Sequence, residues 1–204
     1  MAAAGQILIL NGAPRSGKST VGQAVQDSMA GTWVNLGVDV YVNSLPERLR
    51  PGIGLRPGGE RPDLEQVVVV LYAALYESIA AHARLGVNVV VDVGHHEWYS
   101  QPRHILRDCA RRLTGLPVLF VGVQCRIDVI WQRREQSWGQ TPGTADDELL
   151  GAVERWQQAV HAHDGYDLEI DTSVLTPPQC VEVLASRLSE GPPGTAFERL
   201  AHDG

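Results

Sequence analysis

The chain has 204 residues, 44% hydrophobic and 20% charged. That suits one domain with a full core and argues against a disordered or fibrous protein. Its net charge of -7 argues against a nucleic-acid partner gripped through phosphates, since such domains are usually basic, though local backbone groups can still bind a small anion.

The three cysteines, Cys109, Cys125 and Cys180, are widely spaced and form no C-x-x-C. This points to reduced thiols rather than a zinc site or disulfide framework. The N-terminus lacks the basic segment of a signal peptide, and no uninterrupted apolar stretch reaches the ~18 residues that cross a bilayer. The expectation is a cytoplasmic protein with no membrane partner.

In chain order, a strand is predicted over Gln6 to Asn11 and a helix from Lys18 to Met29. A second strand follows over Thr32 to Asp39. A Pro-, Gly- and Arg-rich stretch from Pro46 to Pro62 reads as a mobile flap, with a disordered insertion as the alternative. A long helix from Asp63, its predicted N-cap, runs to Leu85 and stops at Gly86. Val87 to Gly94 is a continuous apolar run of the kind that forms a buried parallel strand. A helix over Pro102 to Thr114 precedes another such strand, Pro117 to Cys125. Helices are predicted over Ile127 to Ser137 and Asp147 to Ala162, joined by a polar loop. Asp167 to Asp171 is a fifth strand and Pro177 to Ser189 a last helix. Residues 190–204 read as a flexible tail, leaving a single domain over 1–189.

Alternation of strands and helices predicts an α/β three-layer sandwich, a five-stranded parallel sheet with helices on both faces. Right-handed crossovers then bring the strand C-terminal ends to one rim, with Gly12, Asp39, Asp92 and Asp171 along it.

Gly12-Ala13-Pro14-Arg15-Ser16-Gly17-Lys18-Ser19 fits G-x-x-x-x-G-K-[ST], the Walker A phosphate loop (P-loop), with Thr20 following and the required strand before and helix after. Glycines let several N–H groups converge on one phosphate, and the helix N-terminus adds its positive dipole end. Lys18 is the single lysine among 17 basic residues. A compact ammonium suits a tight phosphate-sized site where a guanidinium does not fit. Lys18 is expected on the β- and γ-phosphates of ATP and Ser19 on Mg²⁺. Arg15, at the loop's crown, is either a phosphate contact or a solvated charge. Asp39 is a candidate general base for an acceptor hydroxyl. Asp92 is a candidate Mg²⁺ holder. For both, a cap or loop hydrogen bond is the competing reading.

The order "ILILNGAPRSGKST", "LGVDVYVNSLP", "VVVDV", "LFVGVQCRIDVIWQRRE", "HAHDGYDLEIDTS" resembles the chloramphenicol phosphotransferases and their relatives over most of residues 6 to 173. The resemblance implies a P-loop kinase-like fold and an ATP-dependent transfer of phosphate to a hydroxyl of a small molecule such as an antibiotic. It implies Asp39 as catalytic base, Lys18 and Ser19 as phosphate and Mg²⁺ residues, and Arg133 as an arginine at the start of a lid, stabilising the transferred phosphoryl group. The chain departs from the family at 138–141, where an Arg-Gly-Asp-Arg stretch is replaced. A second lid arginine is then either absent or supplied from elsewhere, Arg134 being the candidate. The chain departs again after Asp92, where "VGHHEWYSQP" replaces a loop of small residues.

His95-His96-Glu97 reads as a loop that either contacts substrate, lies in solvent or, least favoured, binds a metal. Trp98 and Tyr99 are an apolar wall for a ligand or ordinary packing. His161 and His163 do not share a helix face. Thr172, in Asp171-Thr172-Ser173, is placed beside the nucleotide, with an N-cap for the last helix as the alternative. A kinase of a nucleotide, sugar nucleotide or metabolite, and a slow ATP-hydrolysing regulatory module, are the rival functions. Homo-oligomerisation stays open.

Overall fold

A computed structural model describes residues 3–50, 57–58, 61–138, 146–163, 165–191 and 194–202. Residues 51–56 and 59–60 of the Pro46 to Pro62 flap, the loop over 139–145 and parts of the tail lie outside them. In order, the elements are β1 (Ile7–Asn11), α1 (Lys18–Ser28), β2 (Trp33–Asn35), α2 (Val38–Asn43), a 3₁₀ turn (Glu47–Leu49), α3 (Pro62–Arg84) and β3 (Asn88–Val93). They continue with α4 (Ile105–Arg112), β4 (Val118–Gln124), α5 (Ile127–Trp138), α6 (Asp146–Val160), β5 (Leu168–Asp171), α7 (Pro177–Ser189) and α8 (Ala196–His202).

The five strands are parallel in the order β2-β3-β1-β4-β5. β1 is buried along its whole length and alternates between two cores. Ile7 and Ile9 join Val89, Val91 and Phe120 under α3, α4 and α8. Leu8 and Leu10 join Val90, Leu119 and Val121 under α1 and α7. A strand covered on both faces has no reason to alternate polar with apolar, so these runs read as continuous. The three-layer α/β sandwich is therefore as expected.

Four expectations change. First, β2 is only three residues long and pairs only with β3. After Asn35 the chain turns through extended Gly37 into α2, so Asp39 sits in the first turn of that helix rather than at a strand end. Second, α3 starts after Arg61, with Pro62 at its first position and Asp63 inside the first turn. Proline suits that position because its missing N–H would have no helical partner anyway. Third, α3 is long and apolar enough to cross a bilayer by length and composition. In this fold one face of it is core, with Leu75, Tyr76, Ile79 and Ala83 almost wholly buried under the sheet, whereas Val70 is exposed.

Fourth, part of the expected tail is a helix. Asp167 Oδ1 accepts the N–H groups of Thr195 and Ala196 at the start of α8, at 2.8 and 2.9 Å. The same carboxylate accepts Phe120 N–H at 2.9 Å and so joins α8 to β4. Phe197 is buried, stacked 6.2 Å from Tyr76 and edge-on to Phe120 at 5.0 Å. A tail rich in Gly and Pro hides this because one aromatic residue carries the docking. Phe197→Ala is expected to destabilise the fold by about 3–5 kcal/mol, the usual cost of emptying an aromatic core site. Urea unfolding measures it, and a change well under 1 kcal/mol would mean that α8 is not part of the core.

Candidate active site

The rim formed by the strand C-terminal ends holds a cavity of about 890 Å³. Its floor is the phosphate loop between β1 and α1. Arg15 and Gly17 both adopt left-handed conformations, at φ 66° and 93°. Such a backbone turns consecutive N–H groups toward a common point. Gly17 caps α1 with no side-chain hydrogen bond, so the helix offers its first N–H groups to an anion.

Close packing leaves no freedom here. A Cβ on Gly12 would stand 2.5 Å from the Val123 carbonyl oxygen, and one on Gly17 would meet Arg133 and Thr172 at 3.2–3.3 Å. Of the remaining loop residues, Ala13 and Ser16 are buried, whereas Pro14 and Thr20 are exposed and line the cavity. The uncapped helix start, the left-handed loop and the lysine together fit a polyphosphate.

Lys18 donates to the Ala13 carbonyl at 2.7 Å. Burial of its ammonium end pushes its pKa down to about 8, against the opposing pull of Asp92 and then Asp39. Ser19 Oγ donates to Asp92 Oδ2 at 2.6 Å. A hydroxyl and a carboxylate held together beside a phosphate cradle are a hard oxygen donor set that fits Mg²⁺. Gly37 makes the contact feasible, since a Cβ there would lie 2.1 Å from Asp92 Oδ1. Asp39 is exposed and lines the same cavity. Lys18, Ser19, Asp39 and Asp92, far apart in the chain, therefore meet at one site.

Arg133, on α5, donates to Thr172 Oγ1 at 3.1 Å and to the Thr172 carbonyl at 2.6 Å. A longer bond of 3.4 Å reaches the Arg15 carbonyl. Thr172 Oγ1 in turn donates to the Ser16 carbonyl at 2.5 Å. Thr172 thus ties the end of β5 to the phosphate loop. It does not cap α7, whose N-cap is Thr176 in a capping box with Gln179. Asp171 accepts Ser173 N–H and Oγ instead. Arg134 lies over the Trp131 ring, 5.8 Å from its centroid.

No group of three or more His, Cys, Asp and Glu that could hold a metal occurs among the described residues, at the histidine pair or elsewhere. His95 is buried, with Nε2 2.8 Å from the Tyr76 hydroxyl and its ring 4.4 Å from that of Tyr72. Burial first, then His163 and His96, push its pKa down to about 3, so it is a neutral core histidine. His96 stacks on Tyr99 and meets Trp156 edge-on. Tyr99 thus packs inside the loop, and Trp98 is partly exposed.

Several residues were not singled out from the sequence. Asn11, wholly buried, donates to the Val160 carbonyl and to Tyr166 Oη, each at 2.9 Å, and accepts His95 N–H at 2.7 Å. It locks the start of the phosphate loop to α6 and to the loop after β3. Its signal was visible, as the one polar residue in an apolar strand. Tyr72, Trp156 and Cys180 also line the cavity, and nothing in their local sequence marks them.

Comparison with known proteins agrees with this architecture. The profile of the chloramphenicol phosphotransferase-like proteins matches residues 5–189. Sequences from two Mycobacterium tuberculosis strains, whose names assign them by inference as O-phosphotransferases, are each 29% identical over 212 residues, covering 96% of this chain and 88% of theirs. Among solved structures, a Deinococcus radiodurans tunicamycin resistance protein aligns with a TM-score of 0.62 at 16% identity, over 90% of this chain and 95% of its own. A sugar kinase from Janibacter sp. aligns at 0.60 and 19%, over 92% and 96%. The Mycobacterium tuberculosis APS kinase, solved with AMPPNP and APS, aligns at 0.60 and 14%, over 92% and 99%. At such identities these structures speak for the P-loop kinase fold alone. By the match over residues 5–189, the chain belongs to the chloramphenicol phosphotransferase-like family, a kinase-type phosphotransferase family.

Proposed function

We propose that this protein transfers the γ-phosphate of ATP to a hydroxyl of a small molecule, an antibiotic or a similar natural product, in the cytoplasm. The observation that carries the reading is the meeting of an uncapped phosphate loop, a Ser19–Asp92 pair and Asp39 in one cavity. Buried, unpaired thiols at Cys109, Cys125 and Cys180 suit a reducing compartment.

The loop over Gly12 to Ser19 would hold the phosphates, with the Lys18 ammonium, now on the Ala13 carbonyl, as the cation among the N–H donors. Ser19 and Asp92 would hold Mg²⁺, whose charge neutralises the phosphate oxygens. Asp39 would accept the acceptor's hydroxyl proton as that oxygen forms its bond to phosphorus and the bond to ADP breaks. Arg133, already anchored on Thr172 beside the loop, would offer its guanidinium to the transferring oxygens. Its bonds to neutral oxygens cost little to exchange for a phosphate.

The rival of a slow ATP-hydrolysing module predicts ADP release that ignores any acceptor. A panel of hydroxylated compounds scored for acceptor-stimulated ADP release separates the two. Asp39→Asn is expected to keep ADP affinity and lower transfer by about 10²–10⁴-fold, the usual range for a positioned acid or base. Undiminished transfer would remove Asp39 as base.

Lys18 gives a pH dependence. Its pKa in the free protein is about 8, so above that pH the cation is progressively lost and phosphate binding must restore a proton. ADP affinity should therefore fall by up to about tenfold per pH unit above pH 8. Stability of the ligand-free protein moves the other way. The unfolded chain holds this proton up to about pH 10.4, so folding gains stability as pH rises from 8 through that window. Titration calorimetry at pH 7 to 9.5 checks the affinity, and Lys18→Met should flatten it.

A further inference from the structure

Resting on the reading of the cavity as an acceptor site, we propose that Trp156 is a specificity-determining residue there. It presents an aromatic face that favours uncharged molecules with a flat apolar portion over carboxylate or phosphate acceptors.

The argument begins with charge. The described basic residues lining the cavity are Arg15, Lys18 and Arg133. Lys18 and Arg15 belong to the phosphate loop, and Arg133 is bonded to it and to Thr172. The remaining wall, around the carboxylates Asp39 and Asp92, is lined by Val38, Tyr72, Gly94 and Trp156. An acidic acceptor would face two carboxylates there with no cation of its own among the described residues. An anion stripped of water without a partner is strongly disfavoured.

The second observation is how Trp156 is held. A Cβ on Gly94 would lie 3.7 Å from Trp156 Cζ3, an ordinary contact distance, so the indole lies directly against the end of β3. His96 meets the indole at 88° with ring centroids 5.2 Å apart. Behind it, Tyr99 stacks on His96 at 4.4 Å. The Trp98 N–H donates to His96 Nδ1 at 3.2 Å and fixes the ring's rotation.

The loop is then clamped to α3 by Glu65, wholly buried, which accepts Ser100 N–H and Oγ at 2.7 Å each and two bonds from Arg103. Burial alone would raise the Glu65 pKa, but the Ser100 bonds and then Arg103 hold it below the ordinary value. A rigid aromatic pair on a charged anchor is a preorganised wall, since the indole has little freedom left to lose on binding. One of the two stretches that depart from the family pattern, the loop after Asp92, is thus the one that props Trp156.

The test measures binding, so it is independent of turnover. With ADP present, 3-phenyl-1-propanol and D-gluconate are titrated against the wild type, Trp156→Leu and Trp156→Phe by ligand-observed NMR. Trp156→Leu keeps apolar volume without a flat face and should weaken the aryl alcohol by roughly tenfold, whereas Trp156→Phe should stay within about threefold. D-gluconate should bind the wild type at least about tenfold more weakly than the aryl alcohol.

As a positioning residue, His96 should give the Trp156→Leu phenotype as His96→Ala and be rescued as His96→Phe, with ADP affinity unchanged in both. Equal aryl-alcohol affinity in wild type and Trp156→Leu, no wild-type binding, or tighter binding of D-gluconate would overturn the proposal. Phosphate transfer is scored separately. Aryl binding that depends on Trp156, with no transfer to any compound of the hydroxylated panel, would sink the kinase reading and leave Trp156 as the ligand-selecting residue of the cavity; transfer indifferent to Trp156 would do the reverse.

Discussion

The rest of the site depends on a backbone conformation that the chain does not favour by itself. Arg15 sits at positive φ, which costs a non-glycine residue about 1 kcal/mol or more. α1 begins with its first N–H groups uncapped, which also carries a cost. Neither would persist in an isolated peptide. The loop is held from outside: Gly12 against the Val123 carbonyl, the Ser16 carbonyl by Thr172, and the Arg15 carbonyl by Arg133. β4, α5 and β5 thus over-determine a loop whose own sequence supplies mainly the two glycines and the lysine. An anion would satisfy the exposed N–H groups, so that binding and loop geometry would favour each other.

The charges follow from this arrangement. Packing Lys18 into the loop disfavours its ammonium form, and the two carboxylates only partly compensate, leaving its pKa at about 8. A phosphate anion would supply the missing counter-charge. Ser19 and Asp92 are already in contact because Gly37 leaves room for the carboxylate. One glycine on the approach to α2 therefore bears on the metal-binding pair of the proposed mechanism as well as on the placement of Asp39.

Legibility in the sequence followed the locality of the cause. The phosphate loop was readable because its fixed residues are contiguous and its flanks are unambiguous. Buried strands were readable because coverage on both faces leaves continuous apolar runs. Asp39 was found, but its placement was not. Only pairing decides where an edge strand stops, and β2 pairs for three residues. Thr172 was placed beside the loop by its position after β5, yet its clamp on Ser16 and Arg133 is a contact between segments more than 150 and about 40 residues apart. Trp156 and Phe197 left no local trace. Each sits in an ordinary amphipathic context and acquires its role from what the fold sets opposite it, His96 in one case and Tyr76 with Phe120 in the other.

The two halves of the cavity differ in what builds them. The phosphate half is main chain, glycine and strand ends, so any sequence that folds this way and keeps the loop reproduces it. That is why a sugar kinase, an APS kinase and a tunicamycin resistance protein share the architecture at 14–19% identity. The other half is made of side chains carried by α2, α3, α6 and the loop after β3, elements joined by connections free to change in length and composition. Similarity of fold at such identities therefore speaks for the shared architecture and says little about the acceptor. Acceptor choice in this chain has to be read from the residues that the shared architecture does not dictate, and Trp156, His96 and the Glu65 clamp are where those residues form a single rigid unit.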